Sequence, residues 1–142
     1  AEIVHNLVDC RRCNCNFLIN TGLKGNGEIN TIDKGILLEL GKWVKKNKYI
    51  YDCKASDIAA HNADVLYDGT YHYAVIKKMS MTADENVQLT EKSKDVKIYA
   101  NIKSAKWYDV NKKAIIKKGV VEPLPYEYGE SYCTRTIRFK VK

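Results

Sequence analysis

The sequence lacks the features that would place it in a membrane or assign it to a common catalytic class. No apolar run approaches the roughly 20 residues of a membrane-spanning helix, and no basic and then apolar signal segment opens the chain. There is no Gly-x-Ser-x-Gly elbow, Walker loop or dinucleotide fingerprint, because Gly22, Gly25 and Gly27 have the wrong spacing. We therefore expect no membrane partner, and none of these common catalytic motifs indicates the function of the chain.

Arginine is scarce although the chain is basic. The formal net charge is +7, from 24 basic and 17 acidic residues, yet the arginines are only Arg11, Arg12, Arg135 and Arg138. Nucleic-acid interfaces usually combine arginine forks with stacking aromatic rings. Lysine-rich faces are more typical of solvated surfaces, so we expect no nucleic-acid partner. A nucleic-acid-binding scaffold would instead show steeply salt-dependent association with DNA or RNA.

The cysteines are odd in number, which excludes complete pairing within the chain. They are Cys10, Cys13, Cys15, Cys53 and Cys133. The spacing of the first three could offer thiolates to zinc, with His5 or His61 completing a tetrahedral set, but no second cysteine pair follows. Inert thiols are the main prediction, with a disulfide or an adventitious metal as alternatives. We expect no resident metal.

A strand, a glycine-rich loop and a helix are predicted near the N-terminus. The run Asn16–Gly22 indicates a short buried strand, and residues 23–29 hold the glycine and asparagine residues of tight turns. From about Thr31 to Lys46 the apolar residues recur with the helical period. Asn30 and Asp33 are placed to cap the start of this helix.

This segment resembles the end of the catalytic barrel in alpha-L-fucosidases of glycoside hydrolase family 29. The runs Asn16–Gly22 and Gly25–Ile29 are similar to the family phrase N-L-L-L-N-I-G-P and the G-x-I that follows it. Gly41–Tyr51 is similar to the phrase G-E-W-L-K-x-N-G-E-A-I-Y. Leu23 stands where the family usually has proline, and Lys48 where it often has glycine. Both departures lie in turns.

The hydrophobic period changes to two in the second half of the chain. Alternating segments and shorter candidate strands lie at 71–76, 96–103 and 137–142, and at 87–89, 104–108 and 114–117. Short alternating strands at regular spacing predict an antiparallel β-sandwich with one wet face.

The predicted fold class is therefore mainly β with one α/β unit. A C-terminal antiparallel β-sandwich is preceded by the last strand and helix of a (β/α) barrel, the barrel being implied by the resemblance. The predicted division is 1–48 for the barrel end, 49–61 for a linker and 62–142 for an accessory sandwich.

The resemblance implies a retaining exo-glycosidase that releases terminal alpha-L-fucose from glycans without a metal or organic cofactor. Its catalytic carboxylates and sugar-holding histidines would lie upstream, so we expect no catalytic residue here and no activity from this chain alone. The acids Asp33, Glu39, Asp84, Glu85 and Glu91 are predicted to be solvated charges. The implied partners are the catalytic barrel and a fucosylated glycan. The location would be secreted or cell-surface only if the parent protein carries a signal peptide.

Two sets of residues are candidates for contact with sugar. On the resemblance, Asn20 and Gly22 lie at the carboxyl end of a barrel strand, where such barrels place active sites, although capping the loop is the alternative role. Trp107, Tyr108, Tyr71 and Tyr73 would stack on sugar rings if the sandwich acted as a carbohydrate-binding module. The preferred prediction is that the sandwich packs on the barrel and stabilises it.

Overall fold

The computed structural model describes residues 1–82, 87, 89–91, 93, 95–127, 129–130 and 134–142. Two helices come first, α1 Glu2–Arg12 and α2 Thr31–Lys46, and the 3-10 helix Lys48–Tyr51 follows. No helix in this part of the chain is long and apolar enough to span a bilayer. The strands are β1 Lys54–Ala55, β2 Ala60–His61, β3 Ala63–Tyr67, β4 His72–Ile76, β5 Met81–Thr82, β6 Val96–Ile98, β7 Ile102–Trp107, β8 Ile116–Lys117, β9 Val120–Val121, β10 Tyr126–Glu127 and β11 Thr136–Val141.

The strands form two larger sheets and a small pair. The five-stranded sheet has the order β1-β3-β4-β11-β7, and the four-stranded sheet has the order β2-β6-β9-β8. Every pairing in these two sheets is antiparallel, which confirms the predicted sandwich-like fold class. The pair β5 and β10 is parallel, which the sequence did not predict.

One core lies between the two larger sheets. Ile76, Ile137 and Phe139 of the five-stranded sheet pack with Ile98 and Val121 of the four-stranded sheet. A second core lies on the opposite face of the five-stranded sheet, under the helices. Its buried members are Val4, Val8, Leu40, Trp43, Tyr49, Ile50, Cys53, Leu66, Tyr73 and Val75. The five-stranded sheet is thus the middle layer, with helices on one side and the smaller sheet on the other.

Helix α1 was not predicted. Val4 and Val8 lie one turn apart and are completely buried against the sheet. The helix ends at a turn in which Asn14 adopts a left-handed conformation, with φ of 54°. There the Cys15 amide donates to the Cys10 carbonyl at 2.8 Å, the pattern of a helix C-terminal motif.

Helix α2 confirms the predicted bounds and the predicted cap. The Asn30 side chain accepts a hydrogen bond from the Asp33 amide at 2.9 Å. Asn47 at the end of α2 does not adopt a left-handed conformation, since its φ is −109°. Its side-chain amide instead donates to the Trp43 carbonyl at 2.9 Å, which satisfies one of the free carbonyls at the helix end.

The predicted strand around residues 16–20 does not form a strand in this structure. These residues make no ladder pairing, and the Leu18 side chain is 83% exposed rather than buried. A strand is stabilised by hydrogen bonds to a neighbouring strand, and none of the described strands pairs with this segment. It is a loop that connects α1 to α2.

Two further boundaries differ from the sequence prediction. Strand β3 was not among the predicted strands, because burial of both faces removes the alternation that marks a half-exposed strand. The segment predicted as one strand over 96–103 is split between β6 and β7, which belong to different sheets. Val87 and Leu89 are exposed and lie outside any strand, while Gln88 lies outside the described residues.

Gly119 closes the turn between β8 and β9 and offers a test of backbone strain. Its φ is +82°, and a Cβ here would lie 2.7 Å from the Ile98 carbonyl oxygen. We expect Gly119→Ala to lower the free energy of unfolding by about 1–3 kcal/mol, measured by urea denaturation. The matched control is Gly41→Ala in α2, where the space is open. This control should raise the free energy of unfolding by about 0.5–1 kcal/mol, and equal signs for the two variants would contradict the expectation.

Candidate functional site

The loop that carries Asn20 and Gly22 is tied to the start of α2. The Gly22 amide donates to Asp33 Oδ2 at 2.9 Å, and its carbonyl accepts from the Asn30 amide at 3.1 Å. Asn30 Nδ2 also donates to Asp33 Oδ2 at 2.7 Å. Gly22 is therefore part of the helix cap, while Asn20 is exposed. A role for either residue at the rim of a sugar pocket stays a prediction.

The first half of α2 leaves its apolar side chains uncovered. Leu40 and Trp43 are buried, as the helical period predicts, but Ile32 is 76% exposed and Ile36 is 45% exposed. Between α1 and the start of α2 runs a groove of about 730 Å³, lined by apolar residues that include Ile3, Val4, Ile32, Ile36 and Leu40. Apolar surfaces of this kind mark sites where another protein surface or a ligand packs.

The candidate sugar-stacking rings occupy different environments. Trp107 is only 3% exposed and belongs to the core between the sheets. Tyr73 is buried under the helices and stacks on Tyr49, with ring centroids 4.0 Å apart. Tyr71 and Tyr108 are half-buried. Trp107 and Tyr73 therefore present no free face to a sugar ring, and a stacking role for Tyr71 or Tyr108 stays a prediction.

Asp68 organises the turn before β4. Its carboxylate accepts hydrogen bonds from the Thr70 and Tyr71 amides, at 2.8 Å and 2.7 Å, and from the Tyr73 hydroxyl at 2.7 Å. Burial acts to raise the pKa of Asp68, but these hydrogen bonds and the charge of Arg138 outweigh it and leave the pKa lowered. Burial, with the Asp68 hydrogen bond and charge, raises the pKa of Tyr73. This arrangement fixes the turn and leaves Asp68 ionised.

The little-exposed carboxylates are engaged with cations rather than free for acid–base chemistry. Asp64 Oδ1 lies 2.9 Å from Arg12 Nη1 and 3.0 Å from Lys77 Nζ. Asp109 is paired with Arg135. Hydrolysis of a glycosidic bond needs two carboxyl groups that flank the bond, and one of them must hold or take a proton at the reacting oxygen. Neither Asp64 nor Asp109 is arranged to do so.

The acids predicted to be solvated lie in different environments where they are described. Glu91 is exposed and Glu39 pairs with Lys42 at 2.5 Å, whereas Asp33 is half-buried and hydrogen-bonded in the cap of α2. Asp84 and Glu85 lie outside the described residues. In the described part of the chain, no group of three or more His, Cys, Asp or Glu side chains is placed to hold a metal ion.

The thiols differ in accessibility, which yields a direct test. Cys13 and Cys15 are exposed, whereas Cys53 is buried, and burial together with the charges of Asp68 and Asp52 raises its pKa to about 12. The thiolate is the reactive form. We expect iodoacetamide at pH 8 to label Cys13 and Cys15 in the folded protein and to leave Cys53 unlabelled, as read by peptide mass spectrometry. Labelling of Cys53 at a similar rate would contradict this, and labelling in urea is the control.

A cationic surface was not found from the sequence. Lys103 and Lys106 on β7 and Arg138 and Lys140 on β11 line an open groove beside Tyr71. The alternation of β11 places Arg138 and Lys140 on one face, but only the pairing of β11 with β7 brings the lysines next to them. The sequence analysis assigned the lysine-rich faces to solvated surfaces, and a single sequence carries no indication of this strand pairing.

The family comparison agrees with the motif resemblance. Residues 1–49 match the family model described as Alpha-L-fucosidase. No curated protein matches the chain. The matched region contains α1, the loop with Asn20 and Gly22, and α2, so the resemblance drawn from the N-terminal motifs is confirmed.

Solved structures of alpha-fucosidases share the fold of the whole chain. Alpha-L-fucosidase isoenzyme 1 from Paenibacillus thiaminolyticus superposes with a TM-score of 0.70 at 19% identity, over 99% of this chain and 34% of that one. The Thermotoga maritima alpha-fucosidase in complex with a mechanism-based inhibitor gives a TM-score of 0.65 at 17% identity, over 99% and 34%. Its complex with fucose gives 0.65 at 18% identity, over 98% and 34%. The chain thus spans about a third of the length of these structures.

Residues 1–49 are thus similar to the alpha-L-fucosidase family, and the chain has the fold of part of an alpha-L-fucosidase-like protein.

Proposed function

We propose that the chain is the C-terminal, non-catalytic part of a retaining alpha-L-fucosidase that releases terminal alpha-L-fucose from glycans. In this proposal residues 1–48 complete the catalytic barrel, and residues 62–142 form an accessory sandwich that stabilises the barrel. Residues 49–61 are the linker between these two parts. The proposal is supported by the family match of residues 1–49 and by the engagement of Asp64 and Asp109 in ion pairs.

The observation that carries the proposal is the apolar groove between α1 and α2. It lies within the region that matches the family model, and it exposes Ile32 and Ile36 to solvent. The solved relatives are about three times as long as this chain, so the occupant that fits the groove is the remainder of the same enzyme. Covering apolar side chains stabilises by about 25 cal/mol per Å² of buried apolar surface.

Activity is tested on the chain alone. We expect the purified 142-residue chain to show no turnover of a nitrophenyl alpha-L-fucoside above background, because the little-exposed carboxylates of the described residues, Asp64 and Asp109, are held in ion pairs rather than placed as a catalytic pair. Turnover above background would overturn the assignment of the catalytic residues to another part of the enzyme.

The sequence encoded immediately before Ala1 is the second test, and successive strand–helix repeats are expected there. An unrelated domain at that place would defeat the proposal.

The groove is tested by a matched pair of substitutions on α2. In the enzyme that contains this chain, Ile36→Asp should lower the melting temperature and the fucosidase activity, because it buries an unpaired carboxylate at the contact with the barrel. Leu38→Asp is the control, since Leu38 is 59% exposed and does not line the groove. If both variants behaved alike, the groove would not be the contact.

A further inference from the structure

Four cations meet on the part of the five-stranded sheet that the helices leave uncovered. Arg138 lies directly opposite Lys106 in the pairing of β11 with β7, and Lys140 lies opposite Ser104. Together with Lys103 and Tyr71 they line a groove of about 440 Å³, and none of the described residues in its wall is acidic. We call these four residues, Lys103, Lys106, Arg138 and Lys140, the cationic surface.

Within the part of the chain that the structure describes, the charges of the cationic surface are not neutralised by ion pairs. None of the four residues forms a salt bridge there, and Lys106 donates instead to the neutral Asn111 side chain. Like charges directly opposite each other destabilise an antiparallel pair. Arg138 and Lys106 are such a pair, so the fold carries a repulsion that a bound anion would relieve.

Aromatic rings hold the cationic groups in place without neutralising them. The Arg138 guanidinium lies 4.3 Å from the centre of the Tyr71 ring and 5.8 Å from that of Tyr108. The Lys140 ammonium lies 4.5 Å from the centre of the Tyr71 ring. Cation–π contacts of this kind orient a cation while leaving its charge available to a ligand. The charge of Arg138 helps to lower the pKa of Asp68, but the Asp68 carboxylate already accepts three hydrogen bonds.

We propose that the cationic surface binds an acidic glycan whose sugars carry sulfate or carboxylate groups. The Arg138 fork can hold one oxyanion in a bidentate arrangement, and Lys106 and Lys140 supply point charges beside it. Same-face neighbours on a strand are about 7 Å apart and cross-strand partners about 5 Å apart. This spacing suits several anionic groups along one chain better than a single free ion. The choice of a glycan as the source of the anions rests on the proposed function.

The test measures binding to the full 142-residue chain by isothermal titration calorimetry. The probes are a sulfated dextran oligosaccharide and the unsulfated oligosaccharide of the same length. We expect the sulfated probe alone to bind, and Arg138→Ala/Lys140→Ala to weaken its binding at least tenfold. The control Lys34→Ala/Lys45→Ala removes the same charge from exposed positions of α2 and should change the affinity less than twofold. If circular dichroism shows that the alanine variant is unfolded, the test is repeated with Arg138→Gln/Lys140→Gln, which keeps longer side chains.

Three outcomes would overturn the inference. Equal weakening in the control variant would show that binding follows only the net charge. Binding of single-stranded DNA, or of poly-glutamate, as tight as that of the sulfated probe would assign the surface to a nucleic acid or to an acidic protein segment. None of these outcomes tests the proposed contact between the barrel and the groove between α1 and α2. That contact is tested separately by the melting temperature and activity of Ile36→Asp and Leu38→Asp.

Discussion

Arg135→Met should lower the free energy of unfolding by about 3–5 kcal/mol, since it removes one partner of a buried ion pair and leaves the other uncompensated. The Arg135 side chain is only 3% exposed. It pairs with Asp109 and, at 2.8 Å, with Glu130, and it donates to the carbonyls of Leu124 and Pro125 at 2.8 Å and 3.1 Å. The measurement is urea unfolding followed by circular dichroism.

The ion network of Arg135 also connects separate parts of the chain. Asp109 follows β7, Leu124 and Pro125 precede β10, and Arg135 itself directly precedes β11. The guanidinium lies 4.5 Å from the centre of the Tyr126 ring, so loss of the side chain also removes packing. We therefore expect the loss to exceed what one exposed salt bridge contributes.

Two variants separate the buried charge from the packing. Arg135→Met/Asp109→Asn should recover part of the lost stability, because the orphaned carboxylate is then absent. Lys42→Met removes the exposed Lys42–Glu39 pair and should change the free energy of unfolding by less than about 1 kcal/mol. A loss below 1 kcal/mol for Arg135→Met would show that its charge is solvated, contrary to the structure.

Elements defined by local signals were predictable from the sequence. Helix α2 combines an apolar stripe of helical period with the Asn30 cap, and β11 alternates over six residues. Helix α1 has the same kind of pattern, since Ile3, Val4, Leu7 and Val8 recur one turn apart, although it was not predicted. Local physics was sufficient for all three elements.

Features that depend on pairing could not be predicted from one sequence. Strand β3 is buried on both faces and places Asp64 among apolar residues, so it shows no alternation. The cationic surface exists only because β11 lies next to β7, and the order of strands in a sheet is set by the whole fold. The segment 16–20 before Gly22 had the composition of a strand but pairs with none of the described strands.

Trp43→Ala is expected to destabilise the whole chain by about 3–5 kcal/mol, because a large ring is removed from a packed core. Trp43 is 1% exposed, and its indole nitrogen donates to the Thr134 carbonyl at 3.2 Å, which fixes α2 to the segment before β11. The control is Ile32→Ala on the same helix. Its side chain is exposed, so the free energy of unfolding should change by no more than about 0.5 kcal/mol.

The same variant tests whether residues 1–48 and 62–142 are separate units. Helix residues Val8 and Trp43 share one core with Tyr73 and Val75 of β4, so we expect them to unfold together. In Trp43→Ala the remaining tryptophan is Trp107, which lies in the core between the two larger sheets. Its fluorescence transition in urea should shift to lower concentration together with the helical circular dichroism. If the Trp107 transition stayed in place while the helical signal moved, the sandwich would be an independent domain and the helices would depend on the barrel for their stability.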